Sequence, residues 1–302
     1  MARTVLAFGE LLWDVFPNGE VLGGAPANFC YRINSLGHEG RLVTRLGEDD
    51  RGRRAADLVG ANGMSLKYVQ WDDKHPTGTV PVELEATGSP NFTILPNVAY
   101  DHIETTAELL ALATRADCIC FGTLIQRAET SRRTLHALLD AAPRALKVLD
   151  LNLRKDCYTP ETIAASLERA DILKLNESEA EILAWMFGLP DRFASFAPAA
   201  VKQWNLTACV VTLGAKGVVA ANHKGEFVQR PGHKVNAVDT VGAGDAFTAG
   251  FLHCHFEDRS LDACCDFANA LGALVSETRG GTAPIKLEAI EALSGGKRRA
   301  DE

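Results

Sequence analysis

The 302-residue sequence lacks several features that would point to a membrane or nucleic-acid protein. It contains no run of about 18 consecutive apolar residues, so no membrane-spanning helix is expected. Basic side chains are outnumbered by acidic ones, 31 to 39, and the resulting net charge of −8 disfavours a nucleic-acid-binding surface. We therefore expect a soluble, cytoplasmic protein with neither nucleic acid nor membrane as a partner.

The eight cysteines show no spacing typical of a zinc site. The nearest candidate is His253-Cys254-His255, but it lies in a helical pattern, where side chains two positions apart point in different directions. We expect reduced thiols in a reducing compartment.

Short apolar runs alternate with amphipathic stretches along most of the chain, which is typical of an α/β protein with a largely parallel sheet covered on both faces. Strands are predicted at residues 5–8, 42–46, 118–121, 146–151, 172–175, 208–212 and 218–221. Helices are predicted at residues 105–114, 130–141, 177–186, 197–204, 242–256 and 261–277. One domain over residues 1–302 accommodates all of them.

One region departs from this alternation. Residues 67–96 contain β-rich pieces and turn residues without a helical pattern, which predicts antiparallel strands that project from the main sheet. Together with residues 13–22 they would form a small antiparallel β lid. Because such a lid has one apolar face, we expect a second copy of the chain to cover it in a homodimer.

The segment Asp-Thr-Val-Gly-Ala-Gly-Asp at 239–245 leads into a strongly predicted helix. Small residues at a helix N-terminus leave backbone amides free to bind an anion, which the helix dipole also favours. Asp245 in the first turn would then lie beside that anion. Such a pair suits phosphoryl transfer to a hydroxyl, in which the amides stabilise the phosphoryl group and the carboxylate accepts the proton. We expect the helix N-terminus to keep Asp245 ionised and only weakly basic.

Two further segments have the composition of a ligand site. Residues 23–28, Gly-Gly-Ala-Pro-Ala-Asn, would allow the backbone close to a ligand, and Asn28 offers both a donor and an acceptor to hydroxyls. Asp14 follows the first strand, and ligands of open α/β sheets bind beyond the carboxyl ends of strands. Each segment alone is equally consistent with a tight turn.

Together and in this order, the segments resemble the signatures of the ribokinase-like family of ATP-dependent carbohydrate kinases, also called the PfkB family. The first signature is residues 23–28 with Gly37 and Gly47 downstream, and the second is residues 239–245. Residues 176–179 are similar to the family's Asn-x-x-Glu motif, and residues 212–217 to its Thr-Leu-Gly-x-x-Gly loop.

This resemblance implies a three-layer ribokinase-like fold, a small sugar and ATP as ligands, and Mg²⁺. It also implies a role for each matching residue. Asp245 would be the catalytic base, and the anion site would be formed by Gly242, Ala243 and Gly244. The sugar would be bound by Asp14, Gly24, Asn28 and Arg154, and the nucleotide by Asn176, Thr212, Gly214, Gly217 and Asn269. Glu179 would hold Mg²⁺ through water, and a monovalent cation such as K⁺ would be bound by Asp239, Val241, Ser276 and Gly281.

The sugar is less closely specified. Leu12 stands where ribokinases commonly have a polar side chain, which disfavours ribose, because a buried unpaired hydroxyl costs about 1–3 kcal/mol. The motifs most resemble the fructokinase and 2-keto-3-deoxygluconate kinase branches, and in the second branch Arg154 or Arg32 could meet the substrate carboxylate. We expect a fructokinase. The alternatives are 2-keto-3-deoxygluconate kinase, another sugar or nucleoside kinase, and a non-catalytic sugar- or nucleotide-binding module.

Overall fold

The computed structural model describes residues 1–84 and 90–295. Their β-strands are, in chain order, β1 Thr4–Phe8, β2 Leu12–Phe16, β3 Gly19–Gly23, β4 Glu39–Gly47, β5 Val69–Asp72, β6 Gly78–Leu84, β7 Pro90–Phe92, β8 Cys118–Phe121, β9 Leu146–Asp150, β10 Ile172–Asn176, β11 Ala208–Thr212, β12 Val218–Asn222 and β13 Phe227–Arg230. The α-helices are α1 Ala25–Ser35, α2 Asp50–Ala61, α3 Ala107–Ala113, α4 Glu129–Ala141, α5 Pro160–Leu167, α6 Glu177–Phe187, α7 Phe193–Gln203, α8 Ala243–Phe256, α9 Leu261–Ser276 and α10 Leu287–Gly295.

Nine strands form the main sheet in the order β13-β12-β11-β10-β9-β8-β1-β4-β5. The pairings from β11 through to β5 are parallel. The β11–β12 and β12–β13 pairings at one edge are antiparallel, so β12 runs opposite to the other strands of this sheet. The predicted α/β architecture is therefore confirmed.

Helices cover both faces of this sheet, because its buried strands alternate their side chains between two cores. In β1, Leu6 and Phe8 belong to the core that α3, α4, α5, α6 and α7 cover. Val5 and Ala7 belong to the core that α1, α2, α8, α9 and α10 cover. The result is the predicted three-layer arrangement.

A small sheet of four strands, in the order β3-β2-β6-β7, lies where we predicted the lid. Its β2–β3 and β6–β7 pairings are antiparallel, whereas β2 pairs with β6 in parallel. Trp13 and Val80 are buried within the chain itself. Residues 85–89 of the predicted lid lie outside the described part of the chain.

The predicted lid extended too far toward its N-terminal end. Val69–Asp72 forms β5, which pairs in parallel with β4 at the edge of the main sheet. The reason is α2, which was not predicted: a helix between β4 and β5 makes β5 the next parallel strand rather than part of a hairpin.

Across residues 1–84 and 90–295, no helix is both long and apolar enough to span a membrane.

Candidate active site

A pocket opens at the carboxyl ends of β1, β8 and β9, where ligands of open α/β sheets bind. Strand ends contribute Glu10, Thr123, Asp150 and Asn152 to its wall, and α8 contributes Asp245. Phe8, Phe29 and Phe121 supply apolar surface. Polar groups grouped on an apolar wall are typical of a small-molecule site.

The first turn of α8 forms one side of this pocket. Its N-cap is Gly242, in the left-handed region with φ 76°, and no side chain from the described residues caps the helix. A Cβ atom at Gly242 would lie 2.4 Å from the Cα of Gly281, so the close approach of these two backbone segments requires glycine here. The amide of Ala243 donates to the carbonyl of Thr240 at 3.2 Å. The Ala243 amide, predicted for the anion site together with Gly242 and Gly244, is therefore already engaged, and the anion site at this turn stays a prediction.

Asp245 is held by Asn28, whose Nδ2 donates to Oδ2 of the carboxylate at 2.9 Å. Burial, together with the charge of Asp150, raises the pKa of Asp245 to about 6, although Asn28 and the cations Lys174 and Arg154 lower it. The expectation of a weakly basic Asp245 was wrong, because burial and a neighbouring carboxylate outweigh the helix N-terminus. Asp245 is therefore poised to accept a proton near neutral pH.

Lys174 and Asp150, which we did not predict as site residues, form an ion pair behind Asp245. The Nζ of Lys174 lies 3.0 and 3.1 Å from the two carboxylate oxygens of Asp150, one of which also accepts from Thr248 at 2.8 Å. A Cβ atom at Gly244 would lie 3.2 Å from the same Nζ, which places the ammonium beside the first turn of α8. Burial lowers the pKa of Lys174, but the charges of Asp150, Glu179 and Asp245 outweigh it and raise the pKa above its usual value.

Within the described part of the chain, none of the predicted sugar-binding residues Asp14, Gly24, Asn28 and Arg154 lines this pocket, although Asn28 bonds to Asp245 in its wall. Burial raises the pKa of Asp14, and the charge of Arg154 opposes this. Burial also raises the pKa of Glu10, which was not predicted, to about 7. Arg154 is exposed, but its charge acts on Glu10, Asp14 and Asp245 alike. Gly24 has φ 125°, and a Cβ atom there would lie 2.5 Å from the Glu10 carbonyl oxygen.

Two other residues from the specificity argument lie elsewhere. Leu12 is 6% exposed and packs in the core beside Gly78 and Tyr100. The Arg32 side chain is fully buried, and its Nη1 and Nη2 donate to the carbonyls of Ala283 and Gly281, both at 2.7 Å. Arg32 is therefore not available to a substrate carboxylate. Of the two arginines predicted for that contact, only Arg154 remains.

A second, larger cleft of about 700 Å³ lies on the other side of the α8 first turn, and its volume suits a nucleotide. It brings together most of the residues predicted to bind nucleotide or phosphate: Thr212, Gly214, Gly217, Ala243, Gly244 and Asn269. The Nδ2 of Asn269 is buried there and has no hydrogen-bond partner among residues 1–84 and 90–295. An unpaired buried donor is costly, and an acceptor on a bound ligand would satisfy it.

Asn176 and Glu179 do not line this cleft. They form a capping box at the start of α6, where each side chain accepts from the other residue's amide, at 3.0 and 2.8 Å. The second oxygen of Glu179 accepts from the Leu153 amide at 2.8 Å. Burial raises the pKa of Glu179, and Lys174 opposes this. Each oxygen keeps a lone pair free for a water, so the carboxylate fits an indirect contact with Mg²⁺.

Three of the four residues predicted for a monovalent cation already accept hydrogen bonds from within the chain. The Asp239 carboxylate accepts from the amides of Val241 and Gly280 at 3.0 and 2.9 Å. The Ser276 carbonyl accepts from the amides of Val238 and Asp239 at 2.7 and 3.1 Å. The Gly281 carbonyl accepts from the positively charged Arg32. The Arg32 charge at the Gly281 carbonyl disfavours a second cation at that oxygen.

Comparison with known proteins shows similarity to carbohydrate kinases over most of the chain. The model of the pfkB family of carbohydrate kinases matches residues 4–288. Fructokinase-1 of Oryza sativa subsp. japonica is 31% identical over 97% of this chain and 98% of its own length.

Solved structures show the same fold. The fructokinase from Xylella fastidiosa with bound ATP superposes with a TM-score of 0.84 at 22% identity, covering 99% of this chain and 100% of that one. A double-mutant fructokinase from Vibrio cholerae O395, solved with fructose, ADP and a potassium ion, has a TM-score of 0.80 at 23% identity and covers 96% of this chain and 98% of that one.

Proposed function

The chain belongs to the pfkB family and is an ATP-dependent carbohydrate kinase, and we propose that its acceptor is a primary hydroxyl of D-fructose. One observation carries the proposal. The first turn of α8 separates two cavities, with Asp245 in the wall of the smaller and Ala243 and Gly244 in the wall of the larger. An acceptor hydroxyl in one and ATP in the other would meet at this turn.

In the proposed reaction, the sugar hydroxyl attacks the γ-phosphorus in line with the departing oxygen of ADP. The new bond joins the sugar oxygen to phosphorus, the bond from phosphorus to the β–γ bridging oxygen breaks, and the hydroxyl proton passes to Asp245. Asn28 orients the carboxylate through its 2.9 Å hydrogen bond. The amides of the α8 turn stabilise the charge on the transferred group, and the Lys174 ammonium acts on Asp245, whose pKa its charge lowers.

Nucleotide binding is proposed for the larger cleft, with Thr212, Gly214 and Gly217 along the phosphates and Asn269 beside the adenine, where ring nitrogens offer acceptors to its free Nδ2. Mg²⁺ bound with ATP neutralises phosphate charge, and Glu179 would hold one of its waters. Asn176 acts by capping α6 and fixing Glu179.

Sugar binding is proposed for Asp14, Gly24, Asn28 and Arg154, with Glu10 added from the structure. Fructose is favoured because fructokinases are the relatives found at about 30% identity. It is also favoured because Arg32, one of the two arginines that could meet the carboxylate of 2-keto-3-deoxygluconate, is bonded to backbone carbonyls instead. The small sheet would close over the sugar and exclude water.

The test is ADP release with Mg-ATP across D-fructose, 2-keto-3-deoxygluconate, D-ribose, D-tagatose and adenosine. We expect kcat/KM for D-fructose to exceed that for each other compound by more than about tenfold. Preference for 2-keto-3-deoxygluconate would transfer the assignment to the keto-acid branch. If ATP binds but no compound is phosphorylated, the proposed acceptor is wrong.

We further propose a cytoplasmic location and a homodimer. The location is supported by the eight cysteines, all of them buried and unpaired, as expected of a reducing compartment. The dimer is supported by Val21 on β3, which is 49% exposed at the outer strand of the small sheet.

A further inference from the structure

Arg32 is a buried cation that the proposed reaction does not use. Its side chain has no exposed surface, and it lies one helical turn after Asn28 on α1. Among residues 1–84 and 90–295 no carboxylate forms an ion pair with it; its two terminal nitrogens donate instead to the carbonyls of Ala283 and Gly281, each at 2.7 Å. A cation held by backbone carbonyl oxygens has the surroundings expected of a bound alkali-metal ion.

The guanidinium keeps its charge in this position. Burial lowers the pKa of Arg32 to about 10, while the charge of Asp245 favours the charged form. The ring of Tyr31 lies 5.1 Å from the guanidinium carbon. At neutral pH the side chain is therefore protonated and contributes a fixed positive charge.

The loop that Arg32 holds is in direct contact with the catalytic turn. A Cβ atom at Gly281 would lie 2.5 Å from the side-chain amide of Asn28, and one at Gly242 would lie 2.4 Å from the Gly281 Cα. Residue 281 thus lies between the N-cap of α8 and the side chain that orients Asp245. A displacement of this loop would disturb both.

We propose that the Arg32 guanidinium takes the place of an exchangeable monovalent cation, holding residues 281–283 against Gly242 and Asn28 so that this chain needs no K⁺. Arg32 is a positioning residue, because it acts through the loop and touches no substrate. The inference rests on the proposed function only for its kinetic readout. Since a full positive charge already occupies the Gly281 carbonyl, K⁺ at the same oxygen would be repelled.

The first experiment uses the wild-type protein in KCl, NaCl and tetramethylammonium chloride at equal ionic strength. We expect kcat to vary by less than about twofold between the salts. We also expect the Tm of the ligand-free protein to show no specific increase in KCl, because a bound ion would stabilise the folded state. Activation by K⁺ of more than about fivefold, or a K⁺-specific increase in Tm, would overturn the proposal.

The second experiment removes the cation with Arg32→Met and uses Arg53→Met, on α2 with a side chain 60% exposed, as the control. We expect kcat of Arg32→Met to fall at least about tenfold, and millimolar K⁺ or guanidinium to restore part of it and raise Tm, whereas tetramethylammonium does neither. A merely structural arginine would not give ion-specific recovery. Wild-type kcat in Arg32→Met, or a loss that no small cation reverses, would contradict the proposal.

If Arg32→Met does not fold, Arg32→Lys replaces it. The lysine keeps the charge but brings one nitrogen instead of two, so an intermediate kcat without K⁺ stimulation is expected, and K⁺ stimulation of this variant would count against the proposal. Because Tm is measured without substrate, failure to phosphorylate any sugar would overturn the proposed function and leave the cation test intact.

Discussion

At the residue scale, the protonation of Asp245 should control the rate. With its pKa raised by burial to about 6, the carboxylate is protonated below that pH and cannot accept the hydroxyl proton. We expect kcat/KM to fall about tenfold per pH unit below about pH 6 as Asp245 is protonated, and a separate, sugar-binding step near pH 7 from Glu10. The pH–rate profile at subsaturating sugar measures this, with Asp191→Asn, an exposed aspartate, as the control. A midpoint near 4 would show that Asp245 has an ordinary pKa or is not the base.

The same raised pKa makes a prediction for stability. Asp245 has a folded-state pKa of about 6 against an ordinary value of 3.8, so ionising it disfavours the folded state. Its contribution to the free energy of unfolding is fully present below about pH 4 and is lost as the pH rises through about 6. Asp245→Asn, which cannot ionise, should be more stable than wild type by about 2 kcal/mol at pH 8 but not at pH 4. Urea unfolding at the two pH values measures the difference, and an equal difference at both would contradict the raised pKa.

The side chains of the site differ in how far the sequence could predict them. Asp245 stands in a compact motif that indicates an anion site and Asn28 in one that indicates hydroxyl binding, and the structure brings the two within hydrogen-bond distance. Lys174 was missed because it lies within an apolar strand, and only the parallel register of β9 and β10 places it opposite Asp150. The raised pKa of Asp245 depends on burial and on that same Asp150, which no local motif encodes.

At the scale of the element, the N-terminus of α8 depends on the close approach of two glycines. Gly242→Ala would introduce a Cβ atom 2.4 Å from the Gly281 Cα at a positive φ of 76°. Gly280→Ala is the matched control, because its φ is +75° but its Cβ atom would meet nothing within 4 Å. We expect Gly280→Ala to lower the free energy of unfolding by about 1 kcal/mol and Gly242→Ala by about 1–3 kcal/mol more.

Activity separates the two glycine variants further. Gly242→Ala should also lower kcat by at least about tenfold, because it displaces the turn that would hold the phosphoryl group. Gly280→Ala should keep a kcat close to wild type. Urea unfolding and steady-state kinetics measure both effects, and equal losses in the two variants would show that backbone conformation alone matters here.

Strands buried on both faces were predicted well because they are short continuous apolar runs. The ranges 118–121 and 208–212 agree with β8 and β11 to the residue. Helix α2 was missed because its sequence, with three arginines and two aspartates in twelve residues, has few apolar positions. That omission also led to the wrong placement of β5, since the crossover helix is what joins it to the main sheet.

At the scale of the whole molecule, the small sheet is the proposed interface of a homodimer. The sheet buries Trp13 and Val80 against its own core, so much of the apolar face we expected a partner to cover is already covered. Size-exclusion chromatography with light scattering should give twice the 32.5 kDa chain mass. Val21→Glu, at the exposed outer strand, should then shift the protein toward the monomer. A wild-type monomer at micromolar concentration would contradict the proposed dimer.

The central claim is that Asp245, at the turn between the two cavities, accepts the proton while ATP binds independently of it. The most direct measurement compares Asp245→Asn with wild type, taking kcat for D-fructose from ADP release and the Kd of ATP from calorimetry. We predict that kcat falls by about 10²–10⁴-fold while the Kd of ATP changes by less than about twofold. An Asp245→Asn variant that retains wild-type kcat would contradict the account.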